Sequence, residues 1–510
     1  FGASRFSALA VRVMAPKATS KSAGAAPAKR PPLLAADVYC RIRPFASEGG
    51  HAEGGEADSR TLAGWDDASV TLETKYMFSS GESKYTFPKQ VFPPDTTQET
   101  IFDDMMPRFL NNFLGTEGAE PQNVLFLAYG QTGTGKTHTM FGTDASLTSG
   151  VDDGDGWGLL PRVAQAVFEK TGAGDGQAIL QGQAIEFYCM QAADLLNDGS
   201  PVYIDTESCM PVGASLRRLQ SMEDLLSLIA QARANRTTRS TRMNTAVAGH
   251  EGSSRSHAAL ILHLLRRTDE GKVHRTFFSL IDLAGAERPS KTGETRVSGY
   301  EAWLEIIKKG GKNVSTGAQA AFINFELTLL RTAIVAARDA HGRGLKYGGE
   351  VALAPAMIKF LTGAMTGAAA LGMVVTLSPC GSNGWETWFS LEYGKDMSML
   401  RVPVRAVPAA DADAERYVAA LERELAAAIE KFAKTPISNS PASKYYAPRL
   451  GLALWQAQLV EDAYALFPDR KPGDGVEAKI AALRRDGDVS TFVFANNGNV
   501  DPAKLGSIQK

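Results

Sequence analysis

Residues 123–140 constrain the fold more than any other stretch: Asn-Val-Leu-Phe-Leu-Ala-Tyr, then Gly-Gln-Thr-Gly-Thr-Gly-Lys-Thr, then His-Thr-Met. An apolar run at 123–128 reads as a buried strand. Gly130, the four residues Gln131, Thr132, Gly133 and Thr134, and then Gly135-Lys136-Thr137 satisfy the phosphate-loop pattern in its required place after a strand. Glycines let successive backbone N–H groups turn inward around phosphate oxygens, and the helix that follows adds its positive end. Lys136 is expected to reach the β- and γ-phosphates of a nucleotide, and the Thr137 hydroxyl to ligate Mg²⁺. His138 follows directly.

Two further segments narrow the chemistry. Ser-Ser-Arg-Ser-His at 253–257 precedes an apolar strand pattern at 259–265, and Asp-Leu-Ala-Gly-Ala-Glu at 282–287 follows another at 277–281. An aspartate ending a buried strand beside a phosphate loop, here Asp282, holds magnesium through its water shell. Gly285 is placed to give its N–H to a γ-phosphate. Further strand patterns at 38–43 and 373–377, alternating with helical ones, predict an α/β fold whose central, mostly parallel sheet is flanked by helices. Gly-rich acidic stretches at 48–58 and 142–158 read as surface loops.

In this order the three motifs closely resemble the P-loop, switch I and switch II of the kinesin superfamily. Arg41-Ile42-Arg43-Pro44 resembles the family's RxRP adenine-pocket motif, and Tyr85–Phe92 its FxFDxVF strand. Gly158–Arg162, Glu186–Tyr188 with Asp194–Leu196, Ser378-Pro379 and Glu386-Thr387 continue the likeness over about residues 36–402. The resemblance implies the P-loop NTPase kinesin motor fold, ATP and Mg²⁺ as ligands, and microtubules (tubulin) as partner. It implies a salt bridge from Arg255 to Glu287 that closes the site around the γ-phosphate, with Ser254 near Mg²⁺. Arg41, Arg43 and Pro44 would line the adenine side, with His138 nearby.

The likeness breaks in three places. Eight residues, 245–252, separate Asn244 from Ser253, a longer switch I loop than the family pattern. The segment after switch II, Arg288–Gly293, reaches Ile323-Asn324 through about twice the usual length, and Glu326-Leu327 stands where the family has Ser-Leu. The microtubule-binding YRxSKLT segment is reduced to 354–362, with Lys359, Leu361 and Thr362 but neither Arg nor Ser. Lys308, Lys309, Lys312 and Lys359 are therefore the candidate contacts for the acidic microtubule surface, with Arg343 and Lys346 as further basic residues. A nearly intact nucleotide site with a reduced track surface leaves two readings. One is an ATP-hydrolysing, microtubule-stimulated motor of the cytoplasm and cytoskeleton. The other is a non-motile, kinesin-derived adaptor that binds nucleotide and a cytoskeletal or ciliary scaffold.

Composition bounds the rest. With 54 Lys+Arg against 56 Asp+Glu, net charge −2, nothing favours a general nucleic-acid binder. The four cysteines are spaced too widely for a metal or redox motif and read as reduced thiols. No apolar run approaches the ~18–20 residues of a membrane span. Residues 1–13, acid-free with Arg5 and Arg12, suggest a transit peptide, whereas Met14 onward reads as a disordered, basic, Ala/Pro-rich start, so 1–32 is set apart from a motor domain over 33–402. Residues 403–510 form a helical extension, with helices at 450–466 and 475–485 and a short a/d seam at Ala414, Val418, Leu421, Leu425, Ala428 and Phe432. That seam suits a helix packed onto the main domain or a dimerising neck.

Overall fold

A computed structural model describes residues 32–44, 61–73, 81–87, 89–152, 154–173, 178–205, 208–243, 255–267, 272–285, 297–309, 313–348, 354–408, 410–411, 414–435 and 446–486. In chain order the strands are β1 (Leu34–Ala35), β2 (Asp37–Ile42), β3 (Leu62–Asp66), β4 (Ser69–Glu73), β5 (Glu82–Thr86), β6 (Val91–Phe92), β7 (Val124–Tyr129), β8 (Ala178–Tyr188) and β9 (Gln191–Asp194). They continue with β10 (Ser200–Ile204), β11 (Pro211–Val212), β12 (Arg217–Leu219), β13 (His257–Arg267), β14 (Lys272–Asp282), β15 (Ala370–Leu377), β16 (Arg401–Val402) and β17 (Ala410–Asp411). The helices are α1 (Gln98–Met105), α2 (Pro107–Leu114), α3 (Lys136–Phe141), α4 (Asp144–Ser149), α5 (Leu159–Thr171), α6 (Met222–Met243) and α7 (Gly299–Lys309). After these come α8 (Thr316–Gly342), α9 (Ala356–Met365), α10 (Gly384–Ser398), α11 (Ala414–Ala433), α12 (Tyr446–Leu466) and α13 (Val476–Asp486).

The main sheet runs β11-β10-β9-β8-β13-β14-β7-β15-β2-β6. Strands β2, β7 and β15 are buried at every residue, as strands covered on both faces must be. The expectation of a mostly parallel sheet holds only for the half from β14 to β6, whose pairings are all parallel. From β14 outward through β13, β8, β9, β10 and β11 every pairing is antiparallel, so the sheet is mixed. The reason lies in the connections: β13 and β14 are joined by a short reversal, which only antiparallel strands allow. Helices α2 and α3 lie against β7 and β14 and α6 against β8, while α10 covers β15 and β2 and packs on α8.

The stretch 142–158 is more ordered than a surface loop. Thr143 caps α4 by accepting from Ser146 N–H, and Gly142 bridges to Trp157. The lengthened segment before Ile323 contains the additional helix α7, whose Ala302 and Ile306 pack with Phe322 of α8 and Tyr188. Helix α8, capped by Ser315, amends the expectation about membrane spans. By length and composition it could cross a bilayer, yet Phe322, Leu327, Leu330 and Ile334 are buried in the protein, as in the central helix of a globular core.

The a/d seam on α11 is resolved in favour of packing. Leu425, Ala428 and Phe432 are buried with Leu450, Ala453 and Val460 of α12, and Val418 with Ile179, Leu265 and Val273 of the main sheet. Asp462 of α12 accepts from Arg275 at 2.7 Å and from Gln181 at 2.9 Å, fastening the extension to β14 and β8. The strip between α10 and α11 is also tied down. It pairs with β1 through Val402 and Arg401, donates from Arg405 N–H to Gly367 and from Val407 N–H to Pro121, and pairs with the start of β14 through β17. All four cysteines are buried, and no disulfide joins them.

Candidate functional site

The phosphate loop joins β7 to α3, and its glycines are there for space and backbone direction. A Cβ on Gly130 would lie 2.3 Å from the Thr376 carbonyl of β15, while Gly133 and Gly135 have φ of +79° and +92°, the left-handed region that glycine alone adopts freely. Thr134 Oγ1 donates to Gln131 O at 2.8 Å and lies 2.6 Å from Thr376 Oγ1, pinning the loop to the sheet. Thr132 and Gly133 remain exposed at its turn. The buried Lys136 ammonium is held by Gly130 O at 2.9 Å and Gln131 O at 2.7 Å. Both of these acceptors are neutral carbonyls of the loop itself.

Behind the loop stands Asp282, the last residue of β14 and almost fully buried. Its Oδ2 accepts from Thr137 Oγ1 at 2.9 Å and from an Arg236 guanidinium nitrogen at 3.1 Å. Arg236, on α6, is itself buried and donates to Ser256 Oγ at 3.1 Å and Ser256 O at 2.5 Å. The other carboxylate oxygen, Asp282 Oδ1, is buried with no hydrogen-bond partner. An unsatisfied buried carboxylate oxygen beside a threonine hydroxyl and a phosphate loop is the oxygen-donor set that Mg²⁺ takes, and these residues therefore fit that ion.

Gly285 closes the arrangement. A Cβ there would lie 2.4 Å from Thr132 Oγ1 and 2.6 Å from Thr132 N, so the chain leaving β14 rests directly on the phosphate loop. Because the obstruction includes backbone, Gly285→Ala is expected to push the two segments apart with the fold intact, read as faster amide exchange at Thr132 and Ala284 beside an unchanged thermal melt.

On the expected adenine side, Arg41 points inward and donates to Gln98 Oε1 at 2.7 Å and Thr139 Oγ1 at 2.8 Å. Burial brings its pKa down to about 10. Gln98 in turn donates to His138 O at 2.5 Å, so Arg41 braces α3 from below. Arg43 grips the loop's outer turn by donating to Gly133 O at 2.5 Å, and Pro44 is exposed. Burial, then the nearby Arg41 charge, lower the His138 pKa, which favours a neutral imidazole. Arg255 lies close enough for its charge to act on the Tyr188 phenol. Ser254, Glu287 and Lys312 lie outside the described residues, as does the long switch I stretch 245–252. Lys308 and Lys309 are exposed at the end of α7, with Lys309 paired to Glu305 at 2.8 Å, whereas Lys359 is half-buried on α9. Arg236 was not legible in the sequence. It sits in a polar helical stretch rich in arginine, where the sequence alone does not single it out.

Comparison with known proteins gives a consistent result. A family model described as the kinesin motor domain matches residues 41–400. The chain is 27% identical over 397 residues to kinesin-related protein 5 of Dictyostelium discoideum, covering 76% of this chain and 35% of that protein. It is 33% identical over 270 residues to kinesin-like protein KIN-14I of Arabidopsis thaliana, covering 51% and 25% respectively. The chain thus spans about a third or less of the length of these relatives. Among solved structures, a fast kinesin superposes with a TM-score of 0.54 at 22% identity, covering 75% of this chain and 96% of that one. A KIF14 dimer solved with AMP-PNP in complex with a microtubule superposes with a TM-score of 0.57 at 20% identity, covering 74% and 96%. At these identities the likeness to solved structures is one of fold.

Proposed function

The chain belongs to the kinesin motor-domain family, and from that premise we propose that it is an ATPase whose turnover is coupled to microtubule binding. The observation that carries the reading is the Lys136–Thr137–Asp282–Gly285 constellation, with an unsatisfied Asp282 oxygen beside the loop. Backbone N–H groups of residues 131–137 and the Lys136 ammonium take the β- and γ-phosphates of ATP. Thr137 and Ser254, with Asp282 through water, would hold Mg²⁺, which would neutralise phosphate charge and polarise the terminal phosphoryl group. Arg236 fixes the Asp282 carboxylate from behind. Arg255 and Glu287 close over the γ-phosphate, position the attacking water and exclude bulk solvent. Gly285, resting on Thr132, gives its N–H to the terminal phosphate, so loss of that phosphate frees the segment beyond it. Lys308, Lys309, Lys312 and Lys359 supply attraction to an acidic track, and the protein works in the cytoplasm on the microtubule cytoskeleton.

The test is ATP turnover of the intact chain across a microtubule titration at low and moderate salt. A rate that rises and saturates, more weakly at higher salt, is the expected result. Glu287→Ala should retain nucleotide binding while turnover falls about 1000-fold; unchanged turnover would remove Glu287 from the mechanism. A second reading, a nucleotide-binding adaptor that does not step, is favoured by one observation: the strip after α10 is stitched to the body and ends in the anchored extension. A flat rate with nucleotide still bound would select it.

A further inference from the structure

His257 is the first residue of β13, and its neighbour Ala258 pairs with Asp282 across the β13–β14 ladder. Its imidazole is fully buried. Ala284 N–H, two residues beyond Asp282, points at His257 Nδ1 at 3.0 Å. A backbone N–H can only donate, so Nδ1 accepts and the ring hydrogen of the neutral imidazole sits on Nε2. That nitrogen has no hydrogen-bond partner and lies 3.6 Å from Glu326 Oε2 on α8.

Glu326 is 2% exposed and shares its helix face with Phe322, Ile323, Leu327 and Leu330. A carboxylate there is costly, and a leucine would serve packing better. What the carboxylate does supply is a choice of tautomer. An acceptor facing Nε2 favours hydrogen on Nε2, which leaves the Nδ1 lone pair for Ala284. With the hydrogen on Nδ1 instead, two N–H groups would face each other and a lone pair would face the carboxylate. The separation of 3.6 Å exceeds a charge-assisted hydrogen bond by roughly 0.8 Å, so a sub-ångström advance of α8 completes the bond and a similar retreat abolishes it.

We propose that His257 and Glu326 are positioning residues for the ATPase site, forming a link through which the seating of α8 sets the backbone between Asp282 and Gly285. Ala284 lies between the residue that anchors Thr137 and the glycine that rests on Thr132, so its N–H direction governs both. The inference rests on the ATPase reading and adds a route from the long helix into the nucleotide site.

The test uses the full-length chain with Glu326→Leu, Glu326→Gln, His257→Asn and the double variant His257→Asn/Glu326→Leu. Glu326→Leu is expected to melt no lower than the parent, lose about 10-fold in kcat and keep KM for ATP within about twofold. Glu326→Gln, whose amide oxygen can still accept from Nε2–H, is expected to recover most of that loss. In the His257→Asn background, Glu326→Leu is expected to have no further effect. Amide hydrogen exchange at Ala284 and Gly285 is expected to quicken in Glu326→Leu and return towards parental in Glu326→Gln. An unchanged kcat in Glu326→Leu, a loss that tracks melting temperature, or a loss that Gln does not recover overturns the inference. If the parent chain itself shows no turnover, the ATPase reading fails, and the exchange rates alone decide whether the link exists.

Discussion

Replacing Lys136 by alanine is expected to remove ATP binding from the intact chain, raising the dissociation constant of a fluorescent ATP analogue at least ~100-fold without lowering the melting temperature by more than a few degrees. Lys136 is buried but makes its bonds to Gly130 O and Gln131 O, which are neutral acceptors at the loop mouth. Among the bonds the side chain gives up are these two to neutral acceptors. Its removal costs the nucleotide complex a charge-assisted contact to phosphate in a partly desolvated loop, worth about 3 kcal/mol, or somewhat over 100-fold. Titration of the analogue against parent and variant separates the two effects, and tight binding by Lys136→Ala would remove this loop from the proposed site.

Asp282→Asn is expected to be damaging in a second way, because its carboxylate serves both the fold and the site. One oxygen takes hydrogen bonds from Thr137 and Arg236, and both cationic and anionic partners are buried. Asparagine preserves the shape but withdraws the negative charge facing Arg236, at a cost of about 3 kcal/mol. It also replaces a carboxylate oxygen that has no protein partner with an amide, a weaker acceptor for the metal's water shell. The expected outcome is a lower melting temperature and turnover reduced at least ~100-fold, with a much higher Mg²⁺ concentration needed for half-maximal rate. A variant that loses stability yet keeps the parental Mg²⁺ dependence would show that Asp282 serves the fold alone.

The phosphate loop was legible because its chemistry demands fixed residue types at fixed spacing: only Gly130 clears the Thr376 carbonyl, and only a lysine at 136 brings a charge to the loop mouth. The same holds for Gly285, whose contact with Thr132 leaves no room for a side chain. Arg41 shows the limit. Its position on β2 could be read from a motif, but whether a strand residue turns towards ligand or helix depends on neighbours far away in sequence, here Gln98 and Thr139. Arg236 reaches Asp282 across 46 positions of chain, and Glu326 approaches His257 across 69, so no local pattern marks either one. The α11 seam failed to specify its partner for a related reason. A heptad identifies which face is apolar and leaves the identity of the covering surface to length and context. The antiparallel half of the sheet likewise follows from which strands meet in space, and alternation within one strand carries no sign for direction.

The fastening of the C-terminal extension has a mechanical consequence. Asp462 holds Arg275 near the start of β14, and the same strand ends at Asp282 beside the phosphate loop. At ~3.3 Å per residue, the stretch of β14 from Arg275 to Asp282 forms a strut about 23 Å long. A tension applied through α12 therefore enters the body at one end of that strut and arrives at Thr137 from the other, with ladders on both sides resisting sliding. The point where the handle attaches and the nucleotide pocket lie on a single unbroken length of backbone.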